Sequence, residues 1–191
     1  MYRLLLGKVS LLSAGALPPA LTAQAPSGPR RARWLAGRVL LSHALSPLPD
    51  ILYGEQGKPM FTAKTPLWFN LSHSGDEIAL LLSDVGEVGC DIEALRPRKR
   101  WPALAEAVFS AGERAEIAAA SDDRQLAAFW QIWTRKEAIV KQRGGSAWQM
   151  AQIDSTQPQT GFVSHRWLNT LSLAICTPTP VNAADIIVER P

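Results

Sequence analysis

Trp130-Gln131-Ile132-Trp133-Thr134-Arg135-Lys136-Glu137-Ala138-Ile139-Val140-Lys141 is an amphipathic stretch with a carboxylate on its apolar side. Leu126, Trp130, Trp133, Glu137 and Val140 recur at about 100° per residue, the period of one helix face, so Glu137 falls in mid-stripe. A buried carboxylate without a partner costs on the order of several kcal/mol even after relaxation. A cation must therefore lie within reach of Glu137. Lys136 precedes it and Lys141 follows one helical turn on, so a structural Glu–Lys pair is one reading. The other reading, a site for a metal or a phosphate, requires more carboxylates elsewhere in the chain.

Working outward, Asp122 and Asp123 open this helix and Gly144-Gly145 close it. Upstream, residues 101–120 are helical with a break at Phe109-Ser110, where Ser110 and Glu113 have the spacing of a capping box. Val88-Gly89-Cys90-Asp91-Ile92-Glu93 reads as a short strand whose period of two puts Asp91 and Glu93 on one face. Two such carboxylates repel unless something positive sits between them. They fit either a solvent-facing edge strand or a cation site. Downstream, strands are expected at about 148–154, 161–167 and 171–176, with a loosely structured tail from Pro178.

The first half carries similar pieces. Alternation from Tyr2 to Gly7 predicts a first strand. Arg3, the leucines and Ala23-Gln24-Ala25 have the outline of a secretory signal, but Lys8 interrupts the apolar run and Pro18-Pro19 break it, so a strand is expected instead. A Pro/Gly/Ala-rich connection over 14–29 leads to Pro29, well placed to start a helix over about 30–45 with a core of Leu35, Val39 and Leu41. Arg30, Arg31, Arg33 and Arg38 gather positive charge near its N-terminus, as a solvated basic face or an anion site. Residues 46–58 read as loop. Residues 67–73 and 77–83 form a hairpin through Ser74-Gly75-Asp76. A break near 84–87 gives two α+β lobes, 1–84 and 85–191, whose seam can hold a ligand.

The 191 residues are 47% hydrophobic and 19% charged, enough to bury a core as one large domain or two small lobes. Two distant cysteines, Cys90 and Cys176, match no metal spacing and point to a reducing, cytoplasmic compartment. No apolar run approaches the roughly 20 residues of a membrane span. A net charge of +3 and a pI near 9.1 favour an acidic partner without requiring nucleic acid. A basic nucleic-acid-binding module is the alternative reading, suggested by the arginine clusters and seven tryptophans. Three carboxylates facing one site would repel phosphates, and that counts against it.

Taken in order, Phe69-Asn70-Leu71-Ser72-His73-Ser74-Gly75, Gly89-Cys90-Asp91-Ile92-Glu93, residues 109–113 and Trp133-Thr134-Arg135-Lys136-Glu137-Ala138 with Lys141 resemble the phosphopantetheinyl transferase superfamily. The likeness covers nearly the whole chain. It is nearest the single-chain enterobacterial holo-acyl-carrier-protein synthases, including Tyr53-Gly54-Glu55-Gln56-Gly57-Lys58-Pro59. The resemblance implies an α+β fold of two similar lobes related by a pseudo-twofold axis, each a small antiparallel sheet packed with helix. It implies transfer of the phosphopantetheine arm of coenzyme A to a serine of an apo acyl carrier protein, with adenosine bisphosphate leaving. It further implies Mg²⁺ on Asp91, Glu93 and Glu137, phosphate contacts from His73 and Lys141, and a coenzyme cleft lined by Lys58, Pro59 and Ser72. Arg31 and Arg33 would lie near the ribose phosphate, and Glu113 or Glu137 would take the serine proton. The basic loop with Arg96, Arg98, Lys99 and Arg100 would dock an acidic carrier helix. A monomer is expected, with no nucleic-acid or membrane partner.

Overall fold

The computed structural model describes residues 1–191. In chain order the elements are β1 (Tyr2–Lys8), α1 (Val9–Leu12), α2 (Pro19–Thr22), α3 (Arg31–Ala44), β2 (Ile51–Tyr53), β3 (Pro59–Phe61), β4 (Trp68–Ser74), β5 (Glu77–Ser83) and β6 (Gly89–Ala94). Then come α4 (Trp101–Val108), α5 (Ala111–Ala119), α6 (Gln125–Gln142), β7 (Phe162–Leu168), β8 (Leu171–Thr177) and β9 (Val188–Glu189).

β1 takes its place because Leu4, Leu5 and Leu6 can all be buried, on two different faces. Leu5 packs with Leu80, Leu82, Val39 and Leu40, on the α3 side of a four-stranded sheet ordered β4-β5-β1-β9. Leu4 and Leu6 pack with Leu81, Cys90, Ile92, Leu173 and Ile175, against a three-stranded sheet ordered β6-β8-β7. A strand covered on both faces reads as a continuous apolar run rather than a strict alternation. On the far face of the second sheet, Ala174 and Cys176 meet Ala138, Ile139 and Val140 of α6. The layers therefore run α3, first sheet, second sheet, α6.

Two glycines make this arrangement possible. Gly75, with φ of 58°, turns the tight connection between β4 and β5, whose antiparallel register pairs Ser74 with Glu77. Gly89 lets β6 lie directly on α6, since a Cβ there would stand 2.0 Å from the Ala138 carbonyl oxygen.

Several expectations are corrected. Residues 46–58 are not all loop, because β2 pairs antiparallel with β3 in a small hairpin. Residues 148–154 are not a strand: residues Ala147–Gln152 form a 3₁₀ helix, opened by a capping box between Ser146 and Gln149. The tail from Pro178 is not loose, since β9 pairs parallel with β1, Leu4 opposite Val188. Residues 188–189 thus belong to the sheet built by the first half of the chain. On α3 the core is Ala36, Val39, Leu40 and Leu41, with Leu35 only partly covered, and Arg38 is buried rather than part of a solvated basic face.

Candidate active site

The free edges of the two sheets meet at β4 and β6, joined by side chains rather than backbone. Asn70, Ser72 and Ser74 alternate along β4 and accept hydrogen bonds from the β6 amides. Cys90 N donates to Asn70 Oδ1 at 2.9 Å, Ile92 N to Ser72 Oγ at 3.2 Å, and Ala94 N to Ser74 Oγ at 3.1 Å. The same hydroxyls donate to the carboxylates of β6, Ser72 to Asp91 Oδ1 at 2.8 Å and Ser74 to Glu93 Oε2 at 2.5 Å. The period of two therefore orients both carboxylates to one side, along the seam.

From α6, Lys141 Nζ reaches across to Asp91 Oδ1 at 2.6 Å and Ser72 Oγ at 3.0 Å, with Glu137 Oε2 at 3.8 Å. Asp91 Oδ2 is buried without a hydrogen-bond partner. Arg96 Nη1 stands 3.4 Å from Glu93. Burial, with Asp91 and Glu93 close by, pushes the Glu137 carboxyl up to about 7. Burial also raises Glu93, against the Ser74 hydrogen bond. Burial alone would lower Lys141, but Asp91 and Glu137 outweigh it and hold the ammonium above its ordinary value. The cluster is thus an anionic site short of positive charge.

Beside it two cations flank a neutral imidazole. His73 is lowered first by burial and then by Arg33 and Lys141, whose field it feels. Lys58 and Pro59 line a groove of about 200 Å³ together with Asn70, Leu71 and Lys141. Lys58 Nζ is already committed, to Glu87 at 2.6 Å and to the carbonyls of Val88 and Gln142. Arg31 is exposed and donates to the Ala25 carbonyl at 3.4 Å. Of the two arginines, only Arg33 is drawn into the field around His73.

Two readings, of Lys136 on α6 and of Glu113 on α5, meet a different geometry. Lys136 does not serve Glu137. Its ammonium is wholly buried and pairs with Glu113 at 2.6 Å, while also donating to the Ile153 carbonyl. Glu113 for its part is closed off as a proton acceptor. One oxygen takes Lys136 and the Ser110 amide, the other takes the amide and hydroxyl of Ser155, and none of the residue is exposed. Ser74 and Asn70, which fix β6, escaped the sequence reading as site residues. Their alternation with Ser72 was the available signal.

The donor set suits a hard divalent cation: three carboxylates, one with an orphaned buried oxygen, with Arg33 and Lys141 nearby to meet phosphate. No group of three His, Cys, Asp or Glu side chains is already closed to metal-holding spacing. Lys141 stands instead between Asp91 and Glu137. No helix is long and apolar enough to cross a membrane.

Residues 87–177 match the family model of the 4'-phosphopantetheinyl transferase superfamily. The chain is 73% identical over 180 residues to the 4'-phosphopantetheinyl transferase AcpT of Salmonella typhi, covering 94% of both chains. It is 71% identical to AcpT of Escherichia coli strain K12, over 94% of this chain and 92% of that relative. A more distant relative is the 4'-phosphopantetheinyl transferase psf-1 of Bacillus pumilus, 31% identical over 81% of this chain and 74% of its own.

Proposed function

From the premise that this chain belongs to the 4'-phosphopantetheinyl transferase superfamily, we propose that the seam between β4, β6 and α6 is where it moves the phosphopantetheine arm of coenzyme A onto a serine of an apo acyl carrier protein. The observation that carries this reading is the 71–73% identity, over 94% of the chain, with two 4'-phosphopantetheinyl transferases. The nucleic-acid alternative gains nothing from these relatives.

In the reaction the carrier serine Oγ attacks the phosphorus bearing the pantetheine. A new O–P bond forms, the pyrophosphate P–O bond breaks, and adenosine 3',5'-bisphosphate leaves with the electron pair. Such a step asks for alignment and for neutralised charge on the phosphate oxygens. Arg33 and Lys141 supply positive charge, with guanidinium suited to a terminal phosphate and ammonium to a point contact, while His73, kept neutral by burial and by those two cations, offers a ring N–H to a phosphate oxygen. The serine proton must go to a base. Glu137, the carboxylate that α6 brings to the seam, is the candidate to receive it, directly or through a water. Asp91, Glu93 and Glu137 would hold a Mg²⁺, which supplies charge neutralisation at the pyrophosphate. Lys58 fixes the wall of the coenzyme groove by tying the β3 end to Val88 and Gln142. The partner is an acidic carrier protein met by a cytoplasmic monomer.

Mass spectrometry of a panel of apo carrier proteins, incubated with the protein, coenzyme A and Mg²⁺ without ATP, tests the proposal. The added phosphopantetheine mass on a serine is expected. A panel left wholly unmodified would overturn the reading, and loss of activity in EDTA tests the metal separately.

A further inference from the structure

A cavity of about 840 Å³ shares no lining residue with the carboxylate cluster or with the groove of Lys58 and Lys141. It opens between α3 and the chain on either side of it, with Leu21, Trp34, Leu45 and Pro47 among its walls. Its size lies within the range of about 300–1,000 Å³ typical of small-molecule sites. Most such cavities combine apolar walls with one or two polar anchors, and here the anchor is Arg38.

Arg38 is only 4% exposed and forms no ion pair. Asp50, the acidic residue of the lining, does not reach it. The guanidinium lies 4.6 Å over the Trp34 ring, and Nη2 donates to Tyr53 Oη at 2.6 Å. Nε and Nη1 donate to no protein group and are not sealed from solvent, and Arg38 is a lining residue of the cavity. Burial lowers the guanidinium from its ordinary value, and only Tyr53 works against that. Arginine nevertheless stays charged at neutral pH. Tyr53 Oη accepts from Arg38 and from Trp34 Nε1 at 3.3 Å, which frees its own hydrogen to be donated outward. A buried cation and a polarised hydroxyl thus share one cavity, half of whose lining residues are apolar, and no carboxylate of the protein pairs with the cation. Buried charges are normally paired and buried donors normally satisfied.

We infer that this cavity is a second binding site, for a small molecule with an apolar body and one anionic head, a carboxylate or a phosphate monoester, received by Arg38 and Tyr53. A planar guanidinium suits either head, because both accept its N–H groups in pairs. The inference stands on the cavity and its donors, independently of the transfer reaction at the seam.

Calorimetric titration with octanoate, octyl phosphate and octanol, in the presence and absence of saturating coenzyme A, tests it. Both anions should bind the wild-type protein at least about tenfold more tightly than octanol, and the stronger of the two identifies the head group. Arg38→Met keeps the apolar stem and should erase that preference. Tyr53→Phe, at an exposed position, should weaken both anions severalfold with melting temperature unchanged. Anions that bind no better than octanol, or equally well to Arg38→Met, would overturn the site. So would full displacement by coenzyme A, which would make the cavity part of the transfer cleft. If Arg38→Met fails to fold, undiminished anion binding by Tyr53→Phe is the overturning result.

Discussion

At Lys136 the long helix meets Glu113, and both side chains are wholly buried with their charges answered inside the protein. At Glu137, one residue further on, the carboxylate joins Asp91 and Glu93, and the three share two cations, Lys141 and Arg96. The two clusters are built from the same chemistry and sit on neighbouring positions of one helix. What separates them is closure. The first has each oxygen of its carboxylate saturated, so its value is structural. The second keeps an orphaned Asp91 oxygen and a carboxyl raised to about 7, a state that a ligand can relieve. Excess like charge held beside a groove marks function, while balanced charge held in the core marks architecture.

The sharpest way to break this contrast is Glu137→Gln. Transfer of phosphopantetheine should fall at least about 10³-fold, a rise of about 4 kcal/mol in the barrier. Melting temperature in EDTA should stay level or rise, because a neutral side chain relieves repulsion from Asp91 and Glu93. A steep loss of melting temperature would place Glu137 on the structural side of the comparison.

Lys136→Met attacks the other cluster. It leaves the Glu113 carboxylate buried and unpaired, a loss of about 3–5 kcal/mol measurable by urea unfolding. Adding Glu113→Leu should restore most of that stability, since a buried pair is often replaceable by apolar residues. If the double variant is as unstable as Lys136→Met alone, the pairing does not explain the cost.

A smaller effect is expected at the basic loop. Arg98 lies 5.5 Å and 5.2 Å from the Trp130 and Trp133 ring centroids, which holds its charge in place above α6. Charge reversal at Arg98 and Arg100 together should raise the carrier-protein KM about tenfold at low salt, with coenzyme A affinity unchanged and the effect fading as salt screens it. An unchanged KM would remove this loop from the docking surface.

The smallest effect concerns His165, whose Nε2 lies 2.8 Å from Ser172 Oγ, itself joined to Thr134 of α6. Burial, helped by Arg135, holds this imidazole down to about 4, below its ordinary 6.5. The unfolded chain therefore takes up the proton first as pH falls. Stability from this group is complete above about 6.5 and is lost as pH falls through about 4. After discounting for partial exposure the loss is about 1–2 kcal/mol. His165→Gln should flatten the melting-temperature profile over that window, and an unaltered slope would assign the acid sensitivity to other groups.

Much of this contrast was legible in the chain. Period two along β6 put Asp91 and Glu93 side by side, Gly75 marked the hairpin, and Ser110 with Glu113 marked a helix start, because each depends on neighbours a few residues apart. The owner of Lys136 was not legible. Its partner lies 23 residues away, across a break between helices, and periodicity placed Glu137 rather than Lys136 toward the interior. The same holds for β9, whose two residues have no pattern of their own and are ordered by a strand at the other end of the chain. At 148–154 the local signal is present but masked: Ser146 and Gln149 have capping-box spacing, and an alternating apolar pattern overlies it. Arg38 stood among other arginines, and composition gave no hint that it alone is enclosed.

Where two strands join through backbone amides, almost any sequence will serve, so the joint is anonymous and tolerates drift. The seam between β4 and β6 is different, because its three acceptors are the side chains of Asn70, Ser72 and Ser74. Here the joint is spelled out in the gene, and a single codon change to alanine or valine at any of the three erases a rung. Two of those letters also aim the carboxylates of β6. Loosening the union of the two sheets at Ser72 or Ser74 therefore also disturbs the chemistry, and at those two positions the hold between the sheets is inherited together with the site.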